Sequence, residues 1–235
     1  MCDTCGCGSP SVRTIDVNER LLALNTAMAE HNRAHLAERK ILAVNLMGTP
    51  GAGKTALLET TIVKWRAYRR ILVIEGDQAT DRDSARIAAA GATACQVETG
   101  LGCHLDAHQI HDALHHLDPG EGDLLFIENV GNLVCPALFD LGERLRVVVT
   151  SPTEGADKPL KYPPMFRAAH VVVLNKCDLL PHVPFNLDEW TAYVREINSH
   201  ARIIKTTALS EDGVGEWLAE IDTLRRSLLA GFPYE

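Results

Sequence analysis

Short apolar runs alternate along the chain with longer stretches of helical period. The runs cover residues 41–46, 71–74, 124–127, 145–149, 171–174 and 202–204. Each is short, rich in Val, Ile and Leu, and bounded by turn formers, the pattern of a buried strand. Strands that alternate with helices predict an α/β fold with a mainly parallel sheet flanked by helices, whose ligands belong at the carboxyl ends of the strands. Ahead of the first strand, Asp16 and Glu19 resemble a capping box. Leu21, Leu24, Ala27, Met28 and His31 follow at helical spacing toward Arg39, which predicts one amphipathic helix over 16–40. Residues 1–15 have no apolar period and read as a flexible arm. The segment 152–164, with its prolines, Gly155 and Asp157, reads as an ordered surface loop. The expected division is therefore an arm over 1–15, a helix over 16–40 and one globular domain over 41–231.

Composition narrows the class. A chain of 235 residues with 46% hydrophobic content can build a substantial core. Its formal charge of -8, from 31 acidic against 23 basic residues, argues against nucleic acid or an anionic membrane as partner. There is no apolar run of membrane-spanning length, and the first ten residues lack the charged and apolar regions of a secretory signal, so a cytoplasmic location is expected. Seven cysteines, three of them within the first seven residues, point in a reducing cytosol to thiolate and metal chemistry rather than disulfides.

The most specific motif is Gly48-Thr49-Pro50-Gly51-Ala52-Gly53-Lys54-Thr55, a complete phosphate-binding loop between an apolar run and a helical stretch that opens with Ala56, Leu57 and Leu58. Backbone N–H groups of such a turn cradle phosphate oxygens. Lys54 neutralises the β- and γ-phosphates, and the Thr55 hydroxyl ligates magnesium. Asn175-Lys176-Cys177-Asp178 follows the run at 171–174 and has the guanine-reading pattern Asn-Lys-x-Asp. A carboxylate at Asp178 accepts from the N1–H and exocyclic amine of guanine, whereas adenine presents an acceptor at N1. A weaker base-contacting loop is Thr207-Ala208-Leu209-Ser210. Asp77 and Glu128, at or just past strand ends, are expected at magnesium and its waters; their alternatives are helix capping and a structural ion pair. No water-positioning glutamine or arginine finger is identifiable, so slow intrinsic hydrolysis is expected.

A second loop, Glu128-Asn129-Val130-Gly131, is followed four residues later by Cys135. Four residues span at most about 14 Å, so a movement of Gly131 must be felt near Cys135. Cys103, His104 and Cys135 offer two thiolates and an imidazole, which suit Zn2+ and Ni2+ alike; the competing reading is three small buried residues. Cys2, Cys5 and Cys7 form a Cys-x-x-Cys-Gly-Cys arm that can close on one ion. Cys95 and Cys177 have no partner by spacing. His104, His108, His111 and His115 fall on one helical stripe opposite Ile110, Leu114 and Leu117, a solvated face whose alternative is a metal-transit or subunit-contact surface.

These segments, together with Cys103-His104-Leu105-Asp106-Ala107, the stretch from Glu128 to Pro136 and Asp157-Lys158-Pro159-Leu160-Lys161-Tyr162-Pro163, resemble the HypB family, GTPases that help insert nickel into [NiFe]-hydrogenase. The resemblance implies a P-loop GTPase (SIMIBI-type) domain that binds and hydrolyses GTP with Mg2+. It implies catalytic roles for Lys54, Asp77 and Glu128, and nucleotide contacts from Gly48, Gly51, Ala52, Gly53, Lys54, Thr55, Ala56, Gly131, Asn175, Lys176, Asp178 and Ala208. It also implies a GTP-promoted homodimer with Cys103, His104 and Cys135 near the interface, and a tight nickel site at Cys2, Cys5 and Cys7. Implied partners are a HypA-type metallochaperone, the hydrogenase large-subunit precursor and a SlyD-type isomerase. The long histidine-rich N-terminal stretch of many relatives is missing here. Two alternatives stay open: a UreG-type urease GTPase, from which Asn129-Val130-Gly131-Asn132 departs, and a nickel buffer in which GTP is only structural. An arsenite- or Min-type ATPase is disfavoured by Thr49, where those proteins place a lysine, and by Asp178.

Overall fold

A computed structural model describes residues 17–77, 82–100 and 102–231. In chain order the elements are α1 (Val17–Glu38), β1 (Leu42–Gly48), α2 (Lys54–Trp65), β2 (Ile71–Asp77), α3 (Arg82–Ala90), β3 (Thr93–Glu98), α4 (Ala107–Leu117), β4 (Leu124–Glu128), β5 (Leu145–Thr150), α5 (Lys158–Lys161), α6 (Pro163–Ala168), β6 (Val171–Leu174), α7 (Leu187–Ile197), β7 (Arg202–Lys205) and α8 (Val214–Leu229). The strands form one seven-stranded sheet in the order β3-β2-β4-β1-β5-β6-β7, and every pairing is parallel. Central β1 is buried along its whole length, which is why its sequence reads as an unbroken apolar run rather than an alternation.

Helices cover both faces. On one, Leu57, Leu58 and Ile62 of α2, Ile87 of α3, and Trp217 and Ile221 of α8 pack on Val44, Leu46, Val73, Phe126 and Val147. The Trp217 indole N–H donates to Thr61 Oγ1 at 2.9 Å, so the largest buried ring on that side leaves no polar atom unsatisfied. The opposite face is divided. Leu36 of α1 with Ile110, Leu114 and Leu117 of α4 covers Ala43, Leu72, Leu125 and Ile127, while Met165, Phe166, Trp190 and Val194 cover Met47, Val148 and Val172. Among the described residues no helix is long and apolar enough to cross a membrane.

Four local expectations need correction. β3 was not anticipated: as an edge strand it is only half-buried, so Thr-Ala-Cys-Gln-Val-Glu carries no apolar run. The segment 152–164 is largely helical, with a 3-10 turn at Pro152–Glu154 followed by α5 and the start of α6; its prolines sit in first turns, where a missing N–H costs nothing. The predicted face of α1 is rotated. Leu21 and Leu24 are exposed, and the face against the domain is Asn25, Ala29, Asn32 and Leu36. Two asparagines face inward because they bind backbone there: Asn32 Nδ2 donates to the carbonyls of Ala107 and Leu141, while Asn25 accepts from the Ala107 N–H and donates to the Asp140 carbonyl. Lastly, His104 precedes α4 rather than lying on it. The proposed cap at Asp16 and the arm with Cys2, Cys5 and Cys7 lie outside the described residues.

Candidate nucleotide and metal site

β1 ends at Gly48, and the chain turns through Gly51 and Gly53, both at positive φ, into α2. A Cβ on Gly53 would collide with the Asn175 side-chain amide, so both the dihedral and the close approach exclude other residues there. α2 has no side-chain N-cap. Its first N–H groups, with the positive end of the helix dipole, are left for an anion. Beside them is a cavity of about 320 Å3 lined by Gly51, Lys54, Thr55, Glu75, Gly76, Glu128 and Gly131, among others. Thr55 Oγ1 donates to Glu128 Oε1 at 2.7 Å. Asp77 is the last residue of β2, directly after the cavity-lining Gly76.

Sequence reasoning missed Glu75. It is 2% exposed, lines the cavity, and lies in register with Glu128 on the neighbouring strand, so the two carboxylates leave the sheet on the same side. The available signal was a charge directly after the apolar run at 71–74, within β2.

The Asn175 loop closes the other side of the turn. Asn175 Nδ2 donates to the carbonyls of Ala52 and Gly53, and its Oδ1 accepts from Thr206 Oγ1 and the Ala208 N–H, both at 3.1 Å. One buried amide thereby joins three loops. Lys176, in the left-handed region, donates from Nζ to the Gly51 carbonyl at 2.6 Å. A cavity of about 250 Å3 lined by Ala56, Asn175, Lys176, Asp178, Thr207 and Ala208 lies beside it. Apolar walls with one carboxylate at the edge are what a purine with two N–H donors requires.

Cys103, His104 and Cys135 converge within one chain. The two sulfurs are 3.0 Å apart, Cys103 Sγ is 3.6 Å from His104 Nδ1, and one donor atom from each residue lies within 4.8 Å of the others. The contact with Cys103, followed by desolvation, raises the Cys135 thiol above its ordinary value; desolvation lowers the His104 imidazole. A neutral imidazole beside two thiols is the donor set that soft and borderline cations bind with loss of protons. Both arms are fixed. Cys103 and His104 lie just ahead of α4, whose N-terminus carries a full capping box: Asp106 accepts from the Gln109 N–H and Gln109 accepts from the Asp106 N–H. Between them Leu105 is buried against Gly76, where a Cβ would come within 2.7 Å of its side chain.

Asn132 is the second residue that sequence reasoning passed over. Its N–H donates to the Gly48 carbonyl at 3.0 Å, its Nδ2 donates to the Cys103 carbonyl at 3.3 Å, and its Oδ1 accepts from the Val134 N–H at 2.9 Å. The phosphate loop, the Cys103 loop and the Cys135 turn therefore meet at one residue. Gly131 adds a steric contact, since a Cβ there would lie 2.7 Å from Pro50 Cγ.

Fold and site together define a P-loop nucleotide-binding protein of the GTPase fold, with a metal-donor cluster built onto its phosphate loops. The family model of the CobW/HypB/UreG nucleotide-binding domain matches residues 42–205. Hydrogenase maturation factor HypB of Azotobacter vinelandii is 50% identical over 222 residues, covering 94% of this chain and 73% of that protein. The crystal structure of HypB from Archaeoglobus fulgidus superposes with a TM-score of 0.80 at 42% identity, covering 88% of this chain and 99% of the other. HypB from Helicobacter pylori, solved in complex with nickel, gives 0.82 at 31% identity, covering 87% and 96%. This chain belongs to the HypB hydrogenase maturation factors of the CobW/HypB/UreG family.

Proposed function

We propose that this chain is a GTP-hydrolysing nickel metallochaperone that delivers nickel during maturation of [NiFe]-hydrogenase. The observation that carries the reading is Asn132, which hydrogen-bonds to Gly48 in the phosphate loop and to Cys103 in the metal-donor cluster. Guanine is favoured over adenine by Asp178 at the rim of the second cavity. Phosphates would lie along Gly48, Gly51, Ala52, Gly53, Lys54, Thr55 and Gly131, with Ala56, Asn175, Lys176 and Ala208 around the base. Lys54 would hold the β- and γ-phosphate charge. The oxygen donors fit magnesium: Thr55, Asp77 and Glu128 would hold it, and it would neutralise charge on the transferring phosphate. Glu128, hydrogen-bonded to Thr55, ties the loop that ends at Cys135 to the start of α2.

Nickel is the cargo. The nickel complex of the Helicobacter pylori relative supports nickel as the ion, and the converging donors Cys103, His104 and Cys135 would be its site, with Zn2+ as a competitor of similar donor preference. GTP would draw the Gly131 turn toward the phosphates and reshape the cluster, and hydrolysis would relax it. Val134 and Leu138, exposed on either side of Cys135, supply the apolar surface for a GTP-promoted homodimer, so metal release and subunit contact would change together. Cys2, Cys5 and Cys7 would form a separate nickel site on an arm over 1–15, ahead of a helix at 16–40 and a GTPase domain over 41–231. A HypA-type metallochaperone, a SlyD-type isomerase and the hydrogenase large-subunit precursor would be partners in the cytoplasm. The alternative is a nickel scaffold in which the nucleotide is only structural. Lys54→Ala separates the two: GTP hydrolysis and hydrogenase maturation in complemented cells should both fall to background while nickel stoichiometry persists. Maturation at the wild-type level without hydrolysis would favour the scaffold.

A further inference from the structure

The histidine stripe of α4 does not face open solvent along its length. α1 packs alongside, and its own His31 and His35, one helical turn apart, meet His111 and His115, which are also one turn apart. The His31 and His111 rings meet edge-on with centroids 5.1 Å apart; those of His111 and His115 are 4.6 Å apart and nearly perpendicular. His111 Nε2 and His115 Nε2 lie 3.1 Å from one another. Two nitrogens at that separation, each about 2.0–2.1 Å from a shared ion, subtend an angle of about 100° at it, between square-planar and tetrahedral values. Desolvation, then the neighbouring His115 and His31, holds His111 below its ordinary value, and His35 is lowered by desolvation and Arg39 with smaller contributions from His115 and His31. Asp112 acts on His111 in the opposite sense, as Glu38 does on His35. The two lowered imidazoles, His35 and His111, are poorer proton acceptors, which leaves their ring lone pairs for a cation.

We propose that His31, His111 and His115, with His35 beside them, form an all-imidazole site for a borderline divalent cation at the seam of α1 and α4. Facing helices that each contribute histidines one turn apart are an established way to build such a site. His111 and His115 supply a two-donor bite already formed, and side-chain rotation at the exposed His31 brings the third. Having only nitrogen donors and an open position on the surface, the site would bind more weakly and exchange faster than the Cys103 cluster. Its first ligand on α4, His111, lies four residues past the helix start at Ala107, about 6 Å along the axis, and His104 stands three residues before that start. An ion held there also links α1 to α4. The inference goes beyond the delivery reading and does not depend on it.

The probe is Ni2+, titrated by equilibrium dialysis into the full chain while the thiolate-to-nickel charge-transfer absorption is recorded. The H31Q/H111Q/H115Q variant is expected to lose one equivalent of bound ion with the charge-transfer band unchanged. The exposed single variant His115→Gln, which leaves the seam otherwise intact, should weaken that equivalent by about tenfold or more. A Cys103→Ala variant should keep it while losing charge-transfer intensity, so failure of the cysteine cluster and failure of this site give different results. An unchanged number of nickel equivalents in the triple variant, or unchanged affinity in His115→Gln, would overturn the proposal.

Discussion

Gly131 is where one hydrogen atom in place of a methyl group connects two loops. A Cβ there would lie 2.7 Å from Pro50 Cγ and 2.8 Å from Pro50 N, closer than carbon and nitrogen tolerate. Gly131→Ala must push the second loop off the phosphate loop and stretch the Asn132 hydrogen bonds beside it. The expected result is a loss of nucleotide affinity of about tenfold with little change in thermal stability, since the loop borders a cavity rather than the core. Titration with a fluorescent guanine nucleotide checks it, and affinity equal to wild type would mean that the contact is slack. Glycine at 131 was visible in the sequence. Its neighbour across space, Pro50, was not, because eighty residues of chain separate them.

At the scale of the element, α1 shows why an apolar period is an incomplete guide. Leu21 and Leu24 supply the period, yet the docking face turns on Asn25 and Asn32, whose amides bind backbone groups at the start of α4 and in the 140–141 turn. Polar residues carry no hydrophobic signal, so only the partner across the seam shows that they face inward. The same helix is anchored by Arg33, whose Nη2 donates to both carboxylate oxygens of Asp140, at 2.7 and 2.6 Å. Burial alone would raise the Asp140 carboxyl, but the Gly142 N–H and the Arg33 guanidinium outweigh it and hold it below the ordinary value. A lowered folded-state value means stabilisation that is full above the unfolded value, near 3.8, and is lost as the pH falls through the folded one. Asp140→Asn should therefore cost stability at pH 7 and flatten the acid limb of a Tm-against-pH curve below pH 4. Because the pair is partly open to solvent, the cost should not exceed about 1 kcal/mol, or roughly 2–4 °C in Tm. An acid limb of undiminished steepness in the variant would show that Asp140 is not the group responsible.

For the molecule as a whole, the sheet order decides what can communicate. β1 sits between β4 and β5, so the phosphate loop at its end lies beside the Glu128 loop, and β2 beyond β4 brings Gly76 against Leu105 of the Cys103 loop. Nucleotide and metal sites thus share two separate contacts. If nucleotide state changes the nickel affinity of Cys103, His104 and Cys135, nickel must change the affinity for that nucleotide by the same factor. The expected coupling is about 1–3 kcal/mol, or five- to 150-fold. Nickel titrations in the GDP-bound and GTP-analogue-bound forms measure one arm of the cycle, and nucleotide titrations with and without nickel measure the other. Equal nickel affinities in both forms would remove the switch and leave two sites that are merely adjacent.

The α/β architecture, the parallel sheet and the phosphate loop were determined by the sequence alone. Burial on both faces forces apolar runs, and a glycine-rich turn between strand and helix has few other uses. Tertiary structure decided what local pattern cannot express. It brought Cys103 to Cys135 across thirty-one intervening positions of chain, turned Glu75 toward the same cavity as Glu128, and made Asn132 the joint between phosphate loop and thiols. It also set two histidine pairs from different helices against each other. The physical reason is the same in each case: periodicity reports which side of an element is buried, whereas chemistry between elements depends on sheet order and on how far each loop is held by its caps.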